Sequence, residues 1–465
     1  MSYTISTDAF KSTFALSSDG RKLTHHSGRR LRIFPFNTTQ QTTSSAVESL
    51  DQLIGYYLSL VEGISPEPIS IDALIDALKA ETEIEHGSEA LFQEVISQLF
   101  FENGQLRALN LKMREYTPCN EQAAKRIAEY LVDVLGDREH LQNQVKYAMQ
   151  ALAERSNVLE SLIISKLVTK PGKPLSGLRY ERIITALKSV FEQDFEYILD
   201  SEVRTRDYLL PLLEFYYFTY TVQACLQLDR LCDGNPTANR PIYFSLEWEK
   251  TSQSRLCFSE GWQLLERALD KMFAHVITLE VLNQTEGDER FDYVKLAKMA
   301  DQSPEEDERI AEQIHQLSTM YRNAITDCIE MTDLVPKVSP SGRTVSEIRF
   351  LFESVRMQFE LTDRRKPYVT YAEKFKRFCK QNFLKSRGRN GSMLNISEER
   401  LIFLTKICVK DQELIRLKDV FVEFERRGVF LDSNSKEQVA QYFEKLNLIE
   451  KKSDSGDAKY VKRIL

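Results

Sequence analysis

Three carboxylate-bearing runs in this chain have residue types that could hold a metal ion at a phosphodiester. A restriction-type nuclease core needs an acid on one strand and an acid-x-Lys sequence on the next. Glu247-Trp248-Glu249-Lys250 closes the one strand-like run of the middle of the chain, Pro241 to Trp248, but the residue two before Lys250 is tryptophan. Asp457-Ala458-Lys459 has the spacing, yet it lies in a turn-rich stretch with no second carboxylate strand before it. The run Pro304-Glu305-Glu306-Asp307-Glu308 reads as a helix start, with Ser303 at the N-cap, Pro304 at N1 and Glu306 as capping-box partner. Its acids sit where the helix dipole favours negative charge. Phosphate-cradle, dinucleotide, nucleophile-elbow and zinc-protease motifs are all missing from the sequence. The expectation is a chain with no catalytic set of its own, no cofactor and no metal site. A nuclease assembled from distant carboxylates is the enzymatic alternative.

The cations offer a different chemistry, the neutralisation of phosphates. Arg364, Arg365 and Lys366 are followed by Lys374, Lys376, Arg377 and Lys380, then by Lys385, Arg387 and Arg389, with Glu373 the only acid among them. A second group is Lys451, Lys452, Lys459, Lys462 and Arg463. Each phosphate neutralised releases condensed counterions, so such groups bind duplex DNA without regard to sequence and weaken steeply with salt. From Arg364 onward there are 24 basic and 14 acidic residues, a balance of +10, while the rest of the chain carries −17. An acidic body with a basic end points to an anionic partner at that end. The blander alternative is that the charges solvate their own helices.

These residues must be positioned by elements. Pro367 to Leu384 reads as a helix with Tyr368, Tyr371, Phe375, Phe378 and Cys379 on one face and Lys374, Lys376, Arg377 and Lys380 on the other. Residues 385–391 read as a flexible basic linker. From Leu394 the order is helix, helix, helix, β-hairpin, that of a winged helix-turn-helix. The first helix has Ser397 as N-cap and buries Leu401, Leu404 and Cys408. The second buries Leu417, Val420, Phe421 and Phe424 and stops at Gly428. The third opens at Asn434, with Glu437 as capping-box partner, and buries Val439, Phe443 and Leu446. Strands at Leu448 to Lys452 and Lys459 to Ile464 flank the turn Ser453-Asp454-Ser455-Gly456-Asp457. The outward face of the third helix (Glu437, Gln438, Gln441, Glu444, Lys445) is close to neutral. Backbone contact through the wing is therefore expected over base readout, with a protein-binding wing as the alternative.

The remainder reads as mainly α. Helical periodicity covers Ala46 to Val61, Ile71 to Ala80, Glu89 to Phe101, Glu121 to Leu135 and His140 to Leu167. After a break at Pro171-Gly172-Lys173-Pro174 it resumes over Arg179 to Leu199, Arg206 to Leu231, Gly261 to Leu282, Pro304 to Asp327 and Val345 to Leu361. The organisation expected is a basic arm (1–45) read as a partly ordered terminus, a helical domain (46–170), a second helical domain (171–363), the basic helix and linker (364–391) and the winged segment (392–465). Phe215, Tyr216, Tyr217, Phe218 and Tyr220 surround one helix and imply burial on all sides, in the core or in a contact between copies. Pro211, Glu214, Gln223 and Gln227 argue against that helix crossing a membrane. Seven scattered cysteines without C-x-x-C, and no apolar leader, fit a reducing cytoplasm.

The run from Glu444 through Lys459-Tyr460-Val461 resembles the C-terminal end of the DptG (DndG) family. The basic Arg29-Arg30-Leu31-Arg32-Ile33-Phe34-Pro35-Phe36 segment before a long helical body is similar to it as well. The resemblance spans essentially the whole chain. It implies a subunit of a bacterial restriction system that acts, with DptF-like and DptH-like partners, on DNA lacking the phosphorothioate mark. It attributes the nucleotide-driven motor to those partners and supplies no catalytic residues to carry over. A winged-helix transcription regulator is the alternative function.

Overall fold

A computed structural model describes residues 2–38, 50, 53–67, 69–155, 157–172, 179–451 and 459–464. It is mainly helical, with short strands in four small sheets. The centre is the helix Glu202–Leu228, whose five clustered aromatics are all buried. The amides that argued against a membrane span have local partners. Gln223 exchanges hydrogen bonds with Arg240 (Nε2 to the carbonyl 2.9 Å, amide to Oε1 2.8 Å). Gln227 does the same for the Ala238 carbonyl and the Asn235 amide, at 2.8 and 2.7 Å. Buried amides so satisfied cost little, and they fix the loop that feeds the strand Tyr243–Leu246. Among the described residues no helix is long and apolar enough to cross a membrane.

Tyr243–Leu246 runs parallel to Ser392–Ile396 on one side and to Phe430–Leu431 on the other. Its neighbours thus come from far along the chain, as parallel pairing requires. Leu384–Ser386 adds an antiparallel edge, so the expected linker is an ordered hairpin. Gly388 and Gly391 take the left-handed conformations (φ 59° and 71°) that let it turn.

The N-terminal arm is also built in. Tyr3, Phe10, Phe14, Leu31, Ile33 and Phe34 are buried in the main core. Glu280, on the helix Met272–Leu282, accepts the amides of Gly28 (3.0 Å), Arg29 (3.2 Å) and Arg30 (2.7 Å). Three consecutive donors around one carboxylate compensate its burial. The arginine run thus serves through its backbone, which charge counting does not see.

Several expected helices break where side chains intercept the backbone. The helix expected from Arg179 starts at Lys188, because the Arg179 and Tyr180 amides donate to the Asp133 carboxylate at 2.8 and 2.9 Å. Arg182 there caps the carbonyls of Asp133, Val134 and Gly136 at the end of the helix Gln122–Val134. His140 to Leu167 is two helices, Arg138–Arg155 and Val158–Lys166, the second capped by Asn157. Gly261 to Leu282 divides into Gln263–Asp270 and Met272–Leu282. Ser303 and Pro304 begin their helix as expected, but the Glu306 carboxylate pairs with Arg309 at 2.7 Å instead of closing a capping box.

A smaller lobe has its own core of Leu74, Ile75, Leu78, Ile96, Phe100, Phe101, Leu106, Met113, Ile163 and Leu167. The helices Ile71–Lys79, Glu89–Phe100 and Val158–Lys166 supply most of it. Ile64–Pro66 pairs with Thr169–Pro171 across its base.

The C-terminal region runs Glu398–Val409, Leu414–Arg416, Leu417–Arg426, Ser433–Lys445, then the strands Ile449–Lys451 and Lys459–Lys462. Lys459–Lys462 lies between the other two strands, both antiparallel to it. Ser397 caps the first helix, and Leu401, Leu404 and Cys408 are buried. Leu417, Val420 and Phe424 are buried and Phe421 partly so. Asp432, not Asn434, caps the third helix by accepting the Ser435 amide at 3.0 Å. Leu446 is exposed, and Leu448 packs in its place. The turn read at 453–457 lies outside the described residues.

Candidate nucleic-acid interface

The basic helix is Arg365–Asn382. Tyr368, Tyr371, Phe375, Phe378 and Cys379 form its buried face, as their spacing predicts, with rings against Phe36, Tyr217 and Phe218. At about 100° per residue, Lys366, Glu373, Arg377 and Lys380 fall within an arc of about 60°. All four are exposed. They form a ridge of three cations and one acid along the outside of the helix. Arg365 and, at the hairpin tip, Arg389 are exposed as well.

The other cations of the stripe face the protein. Arg364 donates to Gln358 and pairs with Asp327, both at 2.5 Å. Its charge adds to the burial that pushes His25 down to about 3. Lys374 is half-buried and donates to Asn37, and burial lowers its pKa. Lys376 pairs with Asp270 (2.6 Å) and Glu266 (3.7 Å). Lys385 pairs with Glu247 at 3.3 Å. Arg387 reaches across the four-stranded sheet to the carbonyls of Leu246 (2.6 Å), Glu249 (3.2 Å) and Glu247 (3.3 Å). Arg387 also donates to Asn395 at 3.2 Å, so it latches the hairpin to the body and is no phosphate ligand in this arrangement.

The C-terminal sheet sorts its cations by strand parity. Ile449, Val461 and Ile415 share the inward face, and Val461 is fully buried. Lys451 and Lys459 lie on that face beyond the core edge, and both reach Glu444, at 3.4 and 3.0 Å. Lys462 and Arg416 lie on the outer face with Tyr460 and are exposed. Arg463 pairs with Asp411 at 2.6 Å. Lys452 lies outside the described residues. Arg416 was missed by sequence reasoning because its short strand precedes a strong helix. Leu414 and Arg416 share one face of that strand, so the run lacks the apolar–polar alternation that would have marked it.

Two ion networks weld this region to the body. Asp194 accepts Arg427 Nη2 (2.6 Å) and Nε (2.7 Å), Tyr216 Oη (2.7 Å) and Lys410 Nζ (3.1 Å). Arg427 also pairs with Glu423 at 2.7 Å. Arg255 donates to Asp432 (2.5 and 3.0 Å) and Ser435 (2.7 Å). Ser435 meets Glu249, whose carboxyl is pushed up by burial, at 3.0 Å. Asp432 and Ser435 at the start of the third helix are thereby held against the segment 243–255, while Ser433 and Asn434 stay exposed. Further along, Tyr442 stacks on Trp248 with ring centres 4.6 Å apart. Gln438, Gln441 and Glu437 hydrogen-bond among themselves on the outside. The sequence matches no protein-family model and no curated protein.

Proposed function

We propose that this protein is the DNA-engaging and scaffolding subunit of a phosphorothioation-dependent restriction complex, acting on DNA without the sulfur mark. Its C-terminal region is read as a winged helix. Supporting that reading, the element order from Glu398 to Lys462 is helix, strand, helix, strand, helix and two antiparallel strands, with the first strand joined to that last pair and the second, Phe430–Leu431, joined to the body. DNA would lie against the ridge of Lys366, Arg377 and Lys380 and against Arg389, Arg416 and Lys462. The contact is to phosphates, because the third helix presents amides and carboxylates and is held at its start by the body. The single observation that carries the reading is the ridge: cations exposed in register on a helix whose other face is locked into the core. DptF-like and DptH-like subunits would supply the motor, and the acidic body would hold them. The protein acts in the cytoplasm in this reading.

The test is duplex binding as a function of salt. Charge reversal of Lys366, Arg377 and Lys380 to Glu should weaken binding by about tenfold or more and lower the salt slope by roughly one per lost phosphate contact. An unchanged slope rules the ridge out. The near-neutral outward face of the third helix favours a second reading, a winged adaptor that binds protein alone. Loss of a partner subunit without any duplex binding by the native chain would support it. Preference for one duplex sequence well above about tenfold would instead favour a transcription regulator.

A further inference from the structure

The helix Glu89–Phe100 buries only Ile96 and Phe100. On its other side Leu91, Val95 and Leu99 are exposed at 62%, 40% and 48%. They recur every four residues and so line one strip of the helix. Three branched aliphatic side chains left partly in water along one strip forgo part of the hydrophobic stabilisation that a covering surface would supply. A strip of this kind is an anchor pattern for an amphipathic segment.

The charges around the strip name its occupant. Residues 80–103 contain six glutamates (Glu81, Glu83, Glu85, Glu89, Glu94, Glu102) and not one lysine or arginine. All six are exposed. Lys166 reaches Glu81, and His86 approaches Glu89 at 4.0 Å. The strip thus sits in an acidic stretch, with Glu94 about 100° round the helix from its centre, Glu81, Glu83 and Glu85 ahead of the helix and Glu102 just after it, which attracts a cationic partner and repels an acidic one. Bare apolar surface would also invite association of copies, but two such strips facing each other would bring the glutamate flanks together.

We propose that this helix is the docking strip for a cationic amphipathic segment of another protein. The proposal deepens the scaffolding half of the function above and rests on it only for the identity of the partner. The leucines and valine would insert between the partner's apolar positions, and the glutamates would meet its lysines or arginines at the rim.

The probe is a fluorescent helical peptide of Leu and Lys in heptad order, with a Leu and Glu peptide of the same pattern as control. Anisotropy with the full chain should show saturable binding of the Lys peptide, weakened by salt, and none of the control. L91S/V95S/L99S should weaken it by about tenfold or more. E85Q/E89Q/E94Q leaves the strip intact and should reduce chiefly the salt-dependent part. Equal binding of both peptides, or unchanged affinity in the serine variant, overturns the proposal. Sedimentation showing native oligomers that the serine variant dissolves also overturns it, since the strip would then join copies of this chain. Duplex binding should be the same in all these variants, so failure here is distinct from failure of the DNA ridge.

Discussion

The small lobe, built from residues 64–113 and 158–171, keeps ten apolar side chains in a core of its own, whereas the C-terminal region shares the main core and adds two buried ion networks. In the lobe, charge stays outside and apolar side chains spill onto the surface. Where the C-terminal region meets the body, Arg427 and the body's Asp194 are almost wholly inaccessible to water. Burial of apolar surface is non-directional and tolerates sliding. A bidentate guanidinium–carboxylate pair tolerates very little. The lobe is thus joined by area and the C-terminal region by geometry. The hairpin and the third helix are held in the same way, by guanidinium groups of Arg387 and Arg255 engaged with fixed acceptors inside the protein.

Removing the rivet should give the largest effect. Arg427→Met leaves Asp194 with Tyr216 and Lys410 alone, and the cost expected for an uncompensated buried charge is about 3–5 kcal/mol. Urea unfolding checks it. The double change R427M/D194L should recover most of that loss, since an apolar pair of similar volume is often as stable. A double variant as weak as the single one would show that the network fixes more than charge.

Next in size is the lobe's own core. Leu78→Ala should cost about 3 kcal/mol, near the middle of the range for such deletions. Its effect should stay local. Amide exchange should quicken in Ile71–Lys79 and Glu89–Phe100, while Ser433–Lys445 keeps its protection. Joint loss of protection would mean that the two regions open as one and that the contrast drawn between them is false.

Much of the helical layout was legible, because periodicity reports which face is buried without needing to know by what. The face Tyr368, Tyr371, Phe375 and Phe378 is an instance, as are Ser397 and Ser303 as caps. What escaped was long-range. Nothing near Arg387 says that it reaches strand Tyr243–Leu246, and nothing near Arg30 says that its amide caps Glu280. The candidate site was legible as charge and not as orientation: the stripe of ten cations divides into an exposed ridge and a set of internal ties. One clue was available. Arg427 continues the stripe Leu417, Val420, Phe424 by three residues, and an arginine on an apolar stripe needs a buried carboxylate.

The smallest effect should appear at the seam between the two cores. Glu62 ends the helix Leu53–Glu62 of the main core, and Met113, two residues before Glu115, belongs to the lobe's core. Lys112 holds Glu115 at 2.6 Å and approaches Glu62 at 3.9 Å. Burial, with the neighbouring Glu62 adding to it, pushes the Glu115 carboxyl up to about 8 from an ordinary value of 4.5. The folded seam therefore binds this proton more tightly than the unfolded chain does. The stabilisation is complete below about pH 4.5, declines as pH rises, and is spent above about pH 8. Exchange at the lobe's base, across Ile64–Pro66 and Thr169–Pro171, should accordingly be faster at alkaline pH than at mildly acidic pH. Glu115→Gln keeps the shape and removes the titration, so the difference between the two pH values should vanish at the base. Exchange in Leu417–Arg426 should be the same in the native and glutamine chains, since that helix is tied to the body by Arg427 and Lys410 on Asp194 and not through Glu115. A pH response that persists in the glutamine variant would place the sensitive group elsewhere and leave the lobe joined by apolar area alone.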